Sequence, residues 1–162
     1  MIIMMDATEE DTAFLYELYR STRLSEVSSW GWGDQEMEVF LRMQFDLQQR
    51  SYALQFPQAS HLILMNNQLQ AGRVIVHETP AEIRLVDISI LPEFGNQGIG
   101  TAALVHLQDM ARTDSKPIRL HVIRSNPAIT FYERIGFRIR GGDDVYVHME
   151  WSASTERTGG NI

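Results

Sequence analysis

The stretch from Val86 to Arg112, VDISILPEFGNQGIGTAALVHLQDMAR, holds residues whose spacing can do chemistry. An apolar run ends at Pro92. A short loop follows with Gly95, Gly98 and Gly100, and apolar residues then recur at Ile99, Ala103, Leu107 and Ala111. That recurrence is one face of a helix, so the order is strand, glycine loop, helix. The first amides of such a helix lack intrahelical partners, and the helix dipole adds partial positive charge there. Glycines let a ligand approach the backbone closely. The ligand this favours is an anion, most often a phosphate or pyrophosphate.

Three phosphate-binding readings compete for the loop. Gly95 to Gly100 has the glycine spacing of the triphosphatase loop GxxxxGK[ST], but Thr101 stands where the lysine must be. Gly98-Ile99-Gly100-Thr101-Ala102-Ala103 matches the dinucleotide fingerprint GxGxxA. That fingerprint needs an acidic residue about 20 positions on, at the end of the next strand. The next strand, Ile118-Arg119-Leu120-His121-Val122, carries none. The third reading is a pyrophosphate held by backbone amides with no metal, and nothing in the stretch contradicts it. A helix entry that merely needs glycine is the bland alternative.

A second stretch reads Asn126-Pro127-Ala128-Ile129-Thr130-Phe131-Tyr132-Glu133-Arg134-Ile135-Gly136-Phe137. Locally it is a short helix with both ends marked. Asn126 can cap, Pro127 suits the first turn, and Gly136 suits a left-handed exit. Ala128, Phe131 and Ile135 share a face, with Tyr132 half-buried beside them. By itself it could be no more than a capped amphipathic helix.

Together the two stretches resemble the GCN5-related N-acetyltransferase family. In that family a strand ends in V-x-P, followed by x-x-[RQ]-x-x-G-x-[GA] and a helix. Ile90-Leu91-Pro92 matches the first part and Gly98-Ile99-Gly100 the last. Gly95 stands where the family carries Arg or Gln, which removes one side-chain contact and leaves the backbone amides. Gln97 is placed to substitute in part. N-x-A-x-x-F-Y-E-x-x-G-F is the family's second signature and follows at the expected distance.

The resemblance implies an acetyl-coenzyme A site formed by Ile90, Leu91, Gly95, Asn96, Gln97, Gly98, Ile99, Gly100, Thr101, Asn126, Ala128, Phe131 and Tyr132. It implies transfer of an acetyl group to a primary amine by direct attack in a ternary complex. The backbone N–H of Ile90 would hold the oxyanion. Tyr132 would protonate the leaving thiolate, and Asn126 would hold the coenzyme arm. For the base, Asp87 is the best-placed carboxylate, three residues before Ile90. Asp87 could instead bind a turn or pair with an Arg such as Arg84, and Glu82 or a water relay could serve as base. A non-catalytic coenzyme A-binding sensor or interaction module is the alternative function. A nucleotide-dependent enzyme is a third.

Composition bounds these readings. The chain has 162 residues, 44% of them apolar and 22% charged, as expected of a folded globular chain. There is no cysteine, which excludes disulfides, Cys-ligated zinc and a Cys acyl-enzyme. The five histidines stand singly, so no metal is expected. His77 and His121 could face an acceptor or be ordinary strand residues. Net charge is −7 and Lys116 is the only lysine, so no basic stripe invites nucleic acid. No apolar run reaches the roughly 20 residues of a membrane span. The opening Met1-Ile2-Ile3-Met4-Met5 has no basic leader, so the expected location is cytoplasmic. The expected partner is a small-molecule or peptide amine, with no nucleic acid and no membrane. A homodimer is possible.

The elements that must position these residues follow from periodicity. Ile2 to Met5 reads as a strand. Thr8 and Asp11 form a weak capping box ahead of a helix over Glu9–Ser21. Thr22 to Gly33 reads as a loop, in which Trp30 and Trp32 either pack on the core from outside or line an acceptor pocket. Asp34 can cap a second helix with Met37, Phe40, Leu41 and Phe45 on one face, ending near Gln49 or Tyr52. Strands follow over Ser60–Met65, Leu69–His77 and Ala81–Leu91, with a turn at Asn66-Asn67. In the last of these the apolar phase slips at Val86, as a β-bulge would produce. After the loop and its helix, Ile118–Ile123 is a strand parallel to the one before. Phe137–Arg140 and Val145–Trp151 form a closing hairpin around Gly141-Gly142-Asp143. The resemblance makes the whole an α/β fold, a mixed, mostly antiparallel sheet of about seven strands with about four helices. A single domain is expected over residues 1–151, with 152–162 a flexible tail.

Overall fold

The computed structural model describes residues 2–154. Its elements are β1 (Ile2–Asp6), α1 (Thr12–Ser28), α2 (Asp34–Gln55), β2 (Ser60–Asn66), β3 (Leu69–Glu78), β4 (Ile83–Ile90), α3 (Ile99–Asp114), β5 (Ile118–Ile123), α4 (Ala128–Arg134), β6 (Arg138–Gly142) and β7 (Tyr146–Trp151). The strands hydrogen-bond in the order β1-β2-β3-β4-β5-β7-β6. β4 and β5 are parallel, because α3 carries the chain back between them. The β1–β2, β5–β7 and β6–β7 pairs are antiparallel. This is the mixed α/β sheet that the sequence implies.

The contacts fall into two compact units. The first holds the chain through Val74 together with Ile88–Ile99. Its core gathers Leu15, Tyr16, Val27, Leu41, Phe45 and Ile63. The Tyr16 ring meets Phe45 edge-on at 5.6 Å, and its hydroxyl donates to Glu38 at 2.7 Å.

Helix α1 is longer than its sequence pattern indicates. Residues 22–28, expected to be loop, continue the helix. Two causes are visible. Leu24 and Val27 keep the inward spacing, and Val27 is buried. The hydroxyls that read as loop-like bond back onto the helix instead: Thr22 to Tyr19 O and Ser28 to Leu24 O. Serine and threonine do this readily, which hides a helix from a composition reading. The connector to α2 therefore shrinks to residues 29–33. Gly33 is the N-cap of α2, and Asp34 lies in the first turn, where its charge meets the helix dipole. The capping box of Thr8 and Asp11 is present, on a 3-10 turn before α1. The β2–β3 hairpin turns at Asn67-Gln68, one residue later than expected, with φ of 49° and 73°. Two left-handed residues are what a two-residue hairpin requires.

The second unit holds Ile75–Asp87 and the described residues from Gly100 on. β5 alternates strictly, burying Ile118, Leu120 and Val122. Ile83, Arg84 and Leu85 of β4 pair with Ile118, Arg119 and Leu120. In β4, Ile83 and Leu85 are buried and every residue from Val86 to Ile90 is half-buried, so the alternation ends at Val86 without a second buried set replacing it. The closing hairpin differs from expectation. Gly141 and Gly142 lie in β6, next to a register shift between Ile139 and Gly141. The turn falls later, where Asp143 Oδ1 accepts from the amides of Val145 at 2.8 Å and Tyr146 at 2.7 Å. An aspartate makes such a turn without glycine. Of the expected tail, residues 155–162 lie outside the described residues.

Candidate active site

The glycine loop belongs mainly to the first unit. After Ile90, the amide of Leu91 donates to Ala71 O on β3 at 2.8 Å. A 3-10 turn over Pro92–Phe94 follows, closed by Phe94 N to Leu91 O and Gly95 N to Pro92 O. Gly95 is extended, with φ −64° and ψ 151°, so its backbone does not need glycine. Asn96 and Gly98 are left-handed, at φ 60° and 77°. α3 then starts at Ile99, so the amides of Ile99, Gly100 and Thr101 are its unpaired first turn. Gln97 Nε2 donates to Glu93 O at 3.3 Å. Standing in for the family's Arg or Gln would require giving up that bond.

These features fit a pyrophosphate. A Cβ added to Gly98 would meet nothing within 4 Å, so that side of the loop is open to a ligand. Gly98→Ala puts a methyl group there and adds the cost of a left-handed alanine, about 1–2 kcal/mol. Coenzyme A affinity is expected to fall well beyond ten-fold, with circular dichroism retained. Calorimetric titration checks this. Unchanged affinity in a folded variant would remove the phosphate assignment.

The remaining site residues lie in the second unit. A Cβ on Gly100 would stand 3.6 Å from the Phe131 ring, which seats the start of α3 against α4. α4 is shorter than expected. Asn126 lies ahead of it, and its Oδ1 accepts from Ala128 N at 2.9 Å. The Nδ2 donors of Asn126 are then the end that can reach a ligand. Gly136 takes φ 105°, ending the helix as the sequence indicates. The inward face is Tyr132's rather than that of Ala128, Phe131 and Ile135, which are all half-buried. Tyr132 is only 8% exposed and packs its ring 5.7 Å from Phe137. Burial, and after it the charge of Asp87, push the Tyr132 phenol up to about 12. Tyr132 and Asp87 are therefore within electrostatic reach of each other.

Two positioning residues escaped the sequence reading. Gly72, inside β3, is one: a Cβ there would overlap Ser89 O and stand 3.1 Å from Ile90 Cα. Glycine at this point lets the end of β4 lie close on β3, and so fixes the Ile90 backbone. An isolated glycine in a strand signals such an approach. Gln108 is the other. It is buried on α3, and its Nε2 donates to Ile135 O at 2.9 Å, which holds the C-terminal end of α4. A polar residue on the apolar face of a helix was the available signal.

His121 lies exposed on β5 with two protein neighbours. It stacks on His148 at 3.8 Å, and Arg84 Nη2 lies 2.8 Å from its Nδ1. Burial, then Arg84 and His148, hold its pKa below the ordinary histidine value. Trp30 and Trp32 close a three-ring cluster with Phe40, at 5.2–5.5 Å between centroids. Among the described residues no group of three or more His, Asp or Glu could hold a metal ion. No helix among them is long and apolar enough to cross a membrane.

The seven-stranded mixed sheet with its four helices is the fold of the acetyltransferase (GNAT) domain. The chain belongs to the acetyltransferase (GNAT) domain family, whose sequence profile matches residues 57–139, just over half of it. Solved structures share the fold over nearly the whole chain. PaiA N-acetyltransferase from Thermoplasma acidophilum, in complex with coenzyme A, is 19% identical, covers 94% of this chain and 99% of its own, and gives a TM-score of 0.68. The ribosomal-protein-S18-alanine N-acetyltransferase from Escherichia coli is 19% identical, with 94% of each chain covered and a TM-score of 0.62. A GNAT family acetyltransferase from Elizabethkingia anophelis with acetyl-CoA bound is 14% identical, covers 93% and 97%, and gives 0.62. No curated protein matches the sequence.

Proposed function

We propose that the chain is an N-acetyltransferase that moves an acetyl group from acetyl-coenzyme A to a primary amine, by direct attack in a ternary complex. Acetyl-coenzyme A supplies an activated acyl group: a C–N bond forms, the C–S bond breaks, one proton leaves the amine and one reaches the sulfur. The buried Tyr132 phenol carries the reading, because it is a donor that stays protonated at neutral pH. In this reading the loop amides from Gly98 to Thr101 hold the pyrophosphate, with Asn126, Ala128 and Phe131 along the arm. Ile90, Leu91, Gly95, Asn96 and Gln97 complete the coenzyme side. The Ile90 N–H donates to the developing oxyanion, held in place by Gly72. Tyr132 donates to the departing sulfur, and Asp87 receives the amine proton directly or through water. With no cysteine in the chain, a Cys acyl-enzyme is excluded.

Gly95 favours a second reading. Without the Arg or Gln contact the pyrophosphate is held by backbone amides alone, which would suffice for a coenzyme A sensor with no turnover. Steady-state thiol release separates the two. The amine panel would include a peptide N-terminus, a lysine side chain, a polyamine, an amino acid and an aminoglycoside. Release that rises with one amine class supports transfer. Tight coenzyme binding with no amine-dependent release supports the sensor.

A further inference from the structure

Helix α2 is apolar on two sides. Its inner side carries Leu41 and Phe45, both buried. Its outer side carries Val39, Met43, Leu47 and Leu54, which are 66%, 52%, 50% and 84% exposed. At 3.6 residues per turn, Glu36, Val39, Met43, Leu47, Arg50 and Leu54 fall within a sector roughly 80° wide. Trp30 and Trp32, also exposed, meet Phe40 edge-on and carry the apolar surface past the start of the helix. A helix of a monomer normally turns a polar face outward. A contiguous apolar stripe on the outside marks an interface.

The charges in the stripe say what covers it. Glu36 and Arg50 lie seven residues before and seven after Met43, and both are exposed. Among the described residues neither forms an ion pair. We propose that a second copy of this chain packs its α2 antiparallel on this one, about a twofold axis through Met43. Glu36 then meets the partner's Arg50, and Val39 meets the partner's Leu47, each contact occurring twice. Met43 meets the partner's Met43. Leu54, the most exposed of the large apolar residues, comes beside the partner's Trp32. Parallel packing would instead oppose Glu36 to the partner's Glu36 and Arg50 to the partner's Arg50, and like charges reject that register. A contact centred on one helix of about 33 Å sits at the small end of stable interfaces, so micromolar rather than nanomolar dimerisation is expected.

Sedimentation of the full chain tests this. The mass should approach twice 18.6 kDa as concentration rises. Leu47→Glu, at an exposed position, should give a monomer with an unchanged melting temperature. Glu36→Arg or Arg50→Glu alone should weaken dimerisation by about ten-fold, since two attractive contacts become repulsive. The double reversal should restore it to within a few-fold. A monomer at every concentration would overturn the proposal and assign the stripe to another protein or a lipid surface. A dimer that survives Leu47→Glu, or a double reversal that restores nothing, would overturn it too.

Discussion

Tyr132→Phe is expected to lower kcat by about 10²-fold, the lower part of the 10²–10⁴ range of general acid catalysis. The magnitude follows from the phenol's environment. A thiol has a pKa near 8.5, and burial with Asp87 lifts Tyr132 to about 12. Complete transfer of the phenolic proton to a thiolate is thus uphill. What Tyr132 gives the departing sulfur is chiefly a charge-assisted hydrogen bond, in a site where water competes poorly. The loss corresponds to about 2.7 kcal/mol. Coenzyme Kd should stay within a few-fold and the melting temperature should hardly move, since the ring packing against Phe137 is kept. The pH dependence gives an independent readout. An ordinary tyrosine loses its proton near pH 10. A raised pKa keeps Tyr132 protonated below about 12, so kcat should show no alkaline fall from this group near pH 10. Asp87→Asn removes one cause of the rise and should bring that fall to lower pH. A Tyr132→Phe enzyme with wild-type kcat would leave Tyr132 as core packing alone.

Gly72→Ala should have the larger structural effect and a comparable catalytic one. The added Cβ overlaps a backbone carbonyl, Ser89 O, so no side chain can swing aside to relieve it. Overpacking costs about 1–3 kcal/mol, sometimes more. Separating β3 from β4 also endangers the bond from Leu91 N to Ala71 O. For a chain of this size a melting-temperature drop of roughly 5–10 °C is expected. Any relief displaces Ile90, and losing an oxyanion donor costs about 10²–10³ in kcat. The expected variant is folded, destabilised and slow, with coenzyme Kd less affected than kcat. Gly33→Ala is the control, because its Cβ would meet only Glu36 Oε1, at 3.8 Å. A destabilised Gly72→Ala protein with wild-type kcat would separate the Ile90 amide from the chemistry.

Much of this protein was legible without coordinates because its signals are local. The glycine loop is written in Gly98 and Gly100, since a left-handed residue and a helix start each have one-residue signatures. β5 spans Ile118–Ile123 as its sequence indicates, and the exit of α4 follows from Gly136 at φ 105°. What the sequence hid depends on neighbours distant along the chain. Residues 22–28 look like loop by composition and are helix, because Val27 finds a buried place and the hydroxyls turn back on their own carbonyls. The inward side of α4 is Tyr132's, which periodicity over seven residues could not choose. Gly72 looks like a weak point in a strand until Ser89 and Ile90 are laid beside it. Local backbone geometry is fixed by the residue that adopts it, and so can be read from that residue. Burial, close approach and a shifted pKa are properties of pairs, and only the tertiary structure decides the pairs.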